Sequence, residues 1–219
     1  MRRSAILIIG IAVLCASASY AFDPDELNKI TFKNATGAQI QMIFLSPSDS
    51  QEWGPDIVGA DYHISDGNSV SYYVHYPDAS FSFDIMATDA NDNTYEIYDY
   101  QIKDSKSPTV TFAKKNKTST TPDFDYVTVT VTNATDYEVD YLFVSPEDSE
   151  AWGADLLDSE DTLASGDSYS FVVPVESKVT YNVMAVDEDN DTYKFDVTLD
   201  PNKSKLKVSI EDSDLDTSE

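Results

Sequence analysis

The chain is written twice. Ser46-Pro47-Ser48-Asp49-Ser50-Gln51-Glu52-Trp53-Gly54 returns 99 positions later as Ser145-Pro146-Glu147-Asp148-Ser149-Glu150-Ala151-Trp152-Gly153, with six of nine residues identical. Lys33-Asn34-Ala35-Thr36 recurs as Thr132-Asn133-Ala134-Thr135, Asp56 as Asp155 and Gly67 as Gly166. Asp89-Ala90-Asn91-Asp92-Asn93-Thr94-Tyr95 recurs as Asp187-Glu188-Asp189-Asn190-Asp191-Thr192-Tyr193, now 98 positions on, so one residue is lost between. Two copies that diverged on one fold form an internal test, because what both retain is what that fold or a shared activity requires.

Within each copy, apolar and polar residues alternate with period two, as in Val127-Thr128-Val129-Thr130-Val131-Thr132 and Phe81-Ser82-Phe83-Asp84-Ile85. That is the signature of half-buried strands. The first copy predicts strands at 29–34, 39–45, 69–76, 80–88, 94–102 and 109–113. The second predicts them at 127–133, 138–144, 168–173, 179–186, 192–199 and 205–211. Six short strands per copy, rich in Tyr, Val, Thr and Phe and parted by turn residues, predict an all-β chain of two tandem small antiparallel β-sandwich domains. The expected division is a signal peptide at 1–21, repeat one at 22–113, a polar linker at 114–123, repeat two at 124–211 and an acidic tail at 212–219.

Arg2 and Arg3, an apolar run from Ala5 to Leu14 and the small-residue end Ser19-Tyr20-Ala21 form the three-part pattern of a secretory signal. The apolar run is shorter than the roughly 20 residues a membrane span needs, so no insertion is expected after cleavage. Cys15 follows Leu14, where a lipoprotein signal has a small residue, which favours an ordinary signal cysteine over lipidation. Cleavage would remove the only cysteine, leaving no disulfide, thiol nucleophile or thiolate metal site. An exported protein, periplasmic, on the cell surface or secreted, is expected.

With 40 acidic and 14 basic residues, the chain stands at −26, and loss of the two arginines takes it to −28. Nucleic acid and anionic lipid need clustered Lys and Arg, so neither is an expected partner. The charge lies mainly in the second copy: from Ser119 onward it is −20, against −8 for Phe22 to Thr118.

Two constellations are repeated. In the first, Ser46-Pro47 with Asp49, and Ser145-Pro146 with Asp148, read as helix starts, with Gly54 and Gly153 as left-handed stops. They predict a short helical turn between strands two and three of each copy, Pro47–Trp53 and Pro146–Trp152. Trp53 and Trp152 then either plug the sandwich ends or offer aromatic platforms to a glycan or peptide. In the second, Asp89, Asn91, Asn93 and Tyr95, and Asp187, Asp189, Asp191 and Tyr193, place oxygens at positions 1, 3 and 5 with a carbonyl at 7, the first half of an EF-hand-type Ca²⁺ loop. Glycine at position 6 and glutamate at position 12 are missing, and Asp/Asn clusters also make plain hairpin tips. A weak Ca²⁺ site and turn chemistry therefore compete for these residues.

Catalytic signatures are sparse. His63 and His75 lack counterparts in the second copy, so neither copy-wide Ser-His-Asp chemistry nor a shared His metal pair can be built. Carboxylate-pair chemistry stays open only because acids are abundant. Asn34-Ala35-Thr36 and Asn133-Ala134-Thr135 fit glycan acceptors, but read better as marking a turn after the first strand.

The Ser-Pro-x-Asp-Ser-x-x-Trp-Gly-x-Asp run followed by an Asp-rich hairpin resembles a small domain found, often in tandem, in exported proteins of spirochaetes and some other bacteria. The resemblance covers almost the whole chain after residue 21 and implies an exported, repeated β-domain without implying any chemistry. Copy one departs from the pattern at Pro55-Asp56-Ile57-Val58, against Ala154-Asp155-Leu156-Leu157, and at Asn91 and Asn93 in place of aspartates. The expected function is a non-enzymatic extracytoplasmic structural or interaction module, with or without weakly bound Ca²⁺. The rival is a carbohydrate-binding module using Trp53 and Trp152, and an unknown protein or glycan is the partner in either case.

Overall fold

The computed structural model describes residues 22–24, 27–59, 62–76, 81–102, 108–118, 124–157 and 161–217. The expected signal peptide and positions 119–123 of the expected linker lie outside them. Repeat one forms β1 (Asn28–Ala35), β2 (Ile40–Pro47), β3 (Ser69–His75), β4 (Ser82–Asp89), β5 (Thr94–Gln101) and β6 (Thr109–Ala113). Repeat two forms β7 (Asp125–Asn133), β8 (Val139–Pro146), the two-residue β9 (Gly153–Ala154), β10 (Ser168–Val175), β11 (Val179–Asp187), β12 (Thr192–Leu199) and β13 (Lys205–Ile210). The fold is all-β, and each of the twelve predicted strands is present.

The period-two pattern settles which side of each strand is buried. On β7, Val127, Val129, Val131 and Asn133 point inward while the residues between them stay partly open. On β1, Ile30, Phe32 and Asn34 do the same. Buried Asn34 donates from Nδ2 to the carbonyls of Ala38 and Ile64, each at 2.7 Å, and accepts from the Thr36 amide and hydroxyl. Asn133 repeats the arrangement with Tyr137, Leu163 and Thr135. The Asn-Ala-Thr triplets are thus the turn markers the sequence suggests, and their amides face inward, away from any glycan.

Strand pairing departs from the purely antiparallel expectation. β1 pairs antiparallel with β3 but parallel with β6, and β7 likewise pairs antiparallel with β10 and parallel with β13. Alternation dictates which face is buried and carries no information on strand direction. The remaining strands form β2-β4-β5 and β8-β11-β12 antiparallel.

The two repeats are joined edge to edge. After Gly54, Ile57 donates to the Ile43 carbonyl on β2 while Asp56 donates to the Val172 carbonyl on β10 of the other repeat, at 2.9 and 2.8 Å. The mirror operation follows Gly153: Leu156 donates to Leu142 on β8, and Asp155 to Tyr73 on β3, at 2.8 and 2.9 Å. β9 pairs with β3 directly. Each three-stranded sheet is thereby continued, edge to edge, into a sheet of the other repeat. The composite sheets run β5-β4-β2-(Asp56)-β10-β7-β13 and β12-β11-β8-(Asp155)-β3-β1-β6. One continuous hydrophobic core, from Ile30 and Phe112 to Val129 and Ile210, lies between them.

A pseudo-two-fold axis relates the halves. Ser50 Oγ donates to Asp148 Oδ1 at 2.7 Å, and its counterpart Ser149 Oγ donates to Asp49 Oδ1 at 2.9 Å. Each repeat also caps the outer face of the other: Tyr126 stacks 6.2 Å from Phe44, while Phe22 and Leu27 pack on Phe143, Met184 and Val186.

The expected helical turns at Pro47–Trp53 and Pro146–Trp152 are absent. Pro47 and Pro146 end strands, and four-residue turns follow, closed by the Ser50 and Ser149 amides on the proline carbonyls at 3.1 Å. Ser46 and Ser145 do not cap helices, because their hydroxyls donate to the carbonyls of Glu52 and Ala151. The two glycines also serve different ends. Gly153 adopts a left-handed φ of 76°, whereas a Cβ on Gly54 would overlap the Leu45 carbonyl of β2.

Both repeats run further than the expected boundaries. Lys114–Asn116 is a 3₁₀ turn, after which Lys117 bridges to Tyr95 and the Thr118 amide donates to Thr94. The acidic tail does the same: Asp212–Asp214 is a 3₁₀ turn, Leu215 bridges to Tyr193, and the Asp216 amide donates to Thr192. Residues 114–118 of the expected linker and 212–216 of the expected acidic tail are therefore equivalent, paired pieces of the fold.

Two tests follow from the join. Gly54→Ala must displace β2 backbone and costs about 3 kcal/mol or more, whereas Gly153→Ala, with open space around it, costs about 1–2 kcal/mol for its left-handed φ; urea unfolding measures both. The Asp56 carboxylate accepts the Ile43 and Val58 amides at 3.0 and 3.1 Å, and burial pushes its pKa to about 6 against the opposing pull of amides and of His63. A folded pKa above the unfolded value gives stability that is present at low pH and lost as pH rises through about 6. Between pH 7.5 and 4.5 the wild type should gain about 2 kcal/mol relative to Asp56→Asn. A gap that stays flat with pH would contradict this assignment.

Candidate functional site

The Asp-rich segments form tight hairpin tips. Asp89 is buried, and its Oδ1 accepts the Asn91 and Asn93 amides at 2.8 and 3.0 Å, while Oδ2 accepts the Asn93 side chain and the Tyr95 hydroxyl, both at 2.9 Å. Burial works to raise this carboxyl, but the bonds from Asn93, Asn91 and Tyr95 outweigh it and hold the group below the usual aspartate range. Asp187 has the same frame: its Oδ1 takes the Asp189 and Asp191 amides, and its Oδ2 takes the Tyr193 hydroxyl at 3.0 Å. Burial and then Asp187 raise the Tyr193 pKa. Asp92 and Asn190 occupy the left-handed position of the tips, with φ of 58° and 65°, a conformation these residue types tolerate. The first ligand position of each EF-like loop is thus turned inward onto the loop's own amides. Among the described residues no group of three or more His, Cys, Asp or Glu side chains stands placed to hold a metal ion.

The repeated Trp-Gly motifs meet at the pseudo-two-fold axis, where their Asp and Ser side chains form the reciprocal bonds described above. Their tryptophans differ. Trp152 packs on the cluster of Phe143, Met184 and Val186 alongside Phe22, Leu27 and Tyr141. Trp53 sits beside Tyr98, ring centroids 6.4 Å apart, and its carbonyl accepts the buried Tyr181 hydroxyl of the other repeat at 2.8 Å. His63 is exposed, and the His75 ring lies 6.3 and 6.4 Å from those of Phe22 and Phe143, so neither histidine belongs to a shared site.

A further hollow was not anticipated from the sequence. It is a cleft of about 600 Å³ between the repeats, also on the axis, since it contains the equivalent pairs Ile57 and Leu156, and Tyr62 and Asp161. Its lining is mixed, with the buried aliphatic side chains of Ile57, Val58 and Leu156 among polar and aromatic ones. The half-exposed Tyr62, the partly buried Tyr169 and the buried Tyr72 line the cleft, and Ser168 and Ser170, each bridged at 2.8 Å to a threonine of β7, supply hydroxyls. Among the described residues no Lys or Arg lines it. A sequence signal for this cleft existed in positions where the copies disagree: Tyr62 against Asp161, and Tyr169 against Val70.

No family model matches the chain, and neither does any curated protein. Among solved structures, a family 26 carbohydrate-binding module from Eubacterium rectale Amy13K in complex with maltoheptaose is similar over 83% of this chain and 90% of that one, at 8% identity and a TM-score of 0.23. A candidate adhesin from Bacteroides ovatus is similar over 86% and 91%, at 10% identity and a TM-score of 0.25. Both superpositions are loose. No helix among the described residues is long and apolar enough to cross a membrane.

The hairpin geometry predicts that Asp187→Ala costs about 2–4 kcal/mol, because a buried tyrosine hydroxyl and two part-buried amides lose their acceptor. It also predicts that millimolar Ca²⁺ and Mg²⁺ move the thermal midpoint of the chain from Phe22 onward alike, through screening of its acidic surface. A Ca²⁺-selective rise that disappears in Asp187→Asn with Asp189→Asn would instead make the tip an ion site.

Proposed function

We propose that this chain is an exported, non-enzymatic binding module whose two repeats form one scaffold, and that the cleft at their join receives an uncharged glycan. The observation that carries this reading is the cleft itself. It has the size of small-molecule sites, about 300–1,000 Å³, and combines tyrosines and serine hydroxyls with the aliphatic side chains of Ile57, Val58 and Leu156. Sugar rings present both C–H faces and hydroxyls, and such a lining meets both. The net charge of −28 without the leader, and a described lining free of Lys and Arg, select against anionic ligands.

The repeated Trp-Gly loops are less suited to be the primary surface, because their shared residues are engaged between the repeats. The binding reading also accounts for the lack of a nucleophile–base pair that both copies keep.

Tyr62 is the most open ring of the cleft, so Tyr62→Ala leaves the fold intact. Affinity electrophoresis of the chain from Phe22 onward through gels containing neutral polysaccharides should show retardation by at least one of them. Tyr62→Ala should weaken that binding about 5–20-fold, the loss of one aromatic contact. Retardation unchanged in Tyr62→Ala and in Tyr169→Phe would overturn the cleft as the site, and glycosidic turnover would overturn the non-enzymatic reading.

A further inference from the structure

Repeat one carries a second aromatic feature that repeat two lacks. On β5, the pairing with β4 slips between Phe83 and Ile85, and Asp99 takes a left-handed φ of 52°, rare for a residue with a side chain. Such bulges bend a strand and re-aim a neighbouring side chain. Here the Asp99 amide donates to Asp84 Oδ1 at 2.8 Å, and the preceding residue, Tyr98, stands 57% exposed with its ring tilted 47° to that of Trp53. A hollow of about 240 Å³ opens between them, lined also by Ser50, Gln51, Glu52 and Asp84. In repeat two, β11 and β12 keep register across the equivalent stretch, Asp196 stands where Tyr98 does, and Trp152, half-buried like Trp53, packs on Phe143, Met184 and Val186 instead of beside a tyrosine of β12. The same motif thus has an exposed tyrosine beside its tryptophan in one copy and an aspartate at that position in the other.

The chemistry of the open hollow is one-sided. Glu52 lines it and also lines an adjoining hollow of about 400 Å³ with Glu147 and Asp148 of repeat two. Among the described residues no basic side chain lines either. Burial, then Asp148 and Glu176, raise the Glu52 carboxyl, which places unneutralised acids from both repeats around it. A tryptophan face, a tyrosine face and carboxylates on the rim are the elements that hold an ammonium group, through cation–π attraction and charge. A neutral sugar would leave the carboxylates uncompensated.

We propose that the Trp53–Tyr98 hollow binds an organic ammonium group, primary or quaternary, on a short aliphatic stem. Free amines and lysine side chains share this chemistry, and the test separates them. The site is independent of the join cleft, so either reading can fail without the other.

The experiment uses the full chain from Phe22 onward with Trp152→Phe, so that Trp53 alone reports. Choline, spermidine and a short lysine peptide are titrated at 150 mM NaCl, with 3,3-dimethylbutanol as the uncharged analogue of choline. The expected result is a saturable change in Trp53 fluorescence with the cations and none with the alcohol. Tyr98→Ala should weaken binding about 5-fold or more, Tyr98→Phe should retain it, and Tyr62→Ala should leave it unchanged. A response to spermidine but not to the peptide assigns free amines, and the reverse assigns lysine side chains of a partner. An equal response to the alcohol, a non-saturating response, or an affinity indifferent to Tyr98→Ala would overturn the proposal. Heteronuclear NMR shifts confined to residues 46–53, 84 and 98 supply a second readout if Trp152→Phe fails to fold.

Discussion

A sheet edge with unpaired amides and carbonyls must be paired, covered or blunted, and the whole molecule follows from how two such edges are met. In each repeat, the outer edges of β2 and β3, or of β8 and β10, are open after the local hairpins close. The segment after Trp-Gly lies between them and gives one hydrogen bond to its own repeat and one to the other. Asp56 and Asp155 lock that segment by turning a buried carboxylate back onto the amides of Ile43 and Val58, or of Leu142 and Leu157. A charge buried this way is costly alone and tolerable only while several amides solvate it. This conditional cost ties the local loop geometry to the pairing of the repeats.

The consequence is an interface with the symmetry of a homodimer inside a single chain. Reciprocal Ser–Asp bonds across an axis are what an isologous contact produces, residue i meeting j while j meets i. Each repeat likewise extends an arm over the other's outer face, Tyr126 over Phe44 in one direction and Leu27 and Phe22 over Phe143 in the other. Each half thus borrows part of its core boundary from its neighbour, although the chain reads as two repeats.

The strands are legible in the sequence because burial on one face imposes period two directly. That β1 lies parallel to β6, or that β2 continues into β10, is not legible there, since alternation specifies a face and leaves the neighbour open. The Ser-Pro-x-Asp turns mislead for a local reason. A serine before a proline can cap a helix only if its oxygen accepts from following amides, and Ser46 and Ser145 instead donate forward to carbonyls at 52 and 151. The Asp-rich hairpins show the same ambiguity resolved another way: oxygens at alternate positions serve a cation or the loop's own N–H groups, and here Asp89 and Asp187 face the N–H groups.

The internal comparison of the copies has a sharper use than locating what is shared. Nearly every residue the copies hold in common serves the scaffold. Asn34 and Asn133 fasten turns, Asp56 and Asp155 fasten the sheets, and Asp49, Ser50, Asp148 and Ser149 fasten the axis. Among the many residues on which the copies disagree, Tyr62 and Tyr169 lie at the join and Tyr98 beside Trp53. Strict two-fold symmetry would force any site on the axis to present the same group twice. Loss of that symmetry at Tyr62 and Asp161, and at Tyr98 and Asp196, lets one opening combine an aromatic face with a carboxylate and lets another exist in a single copy.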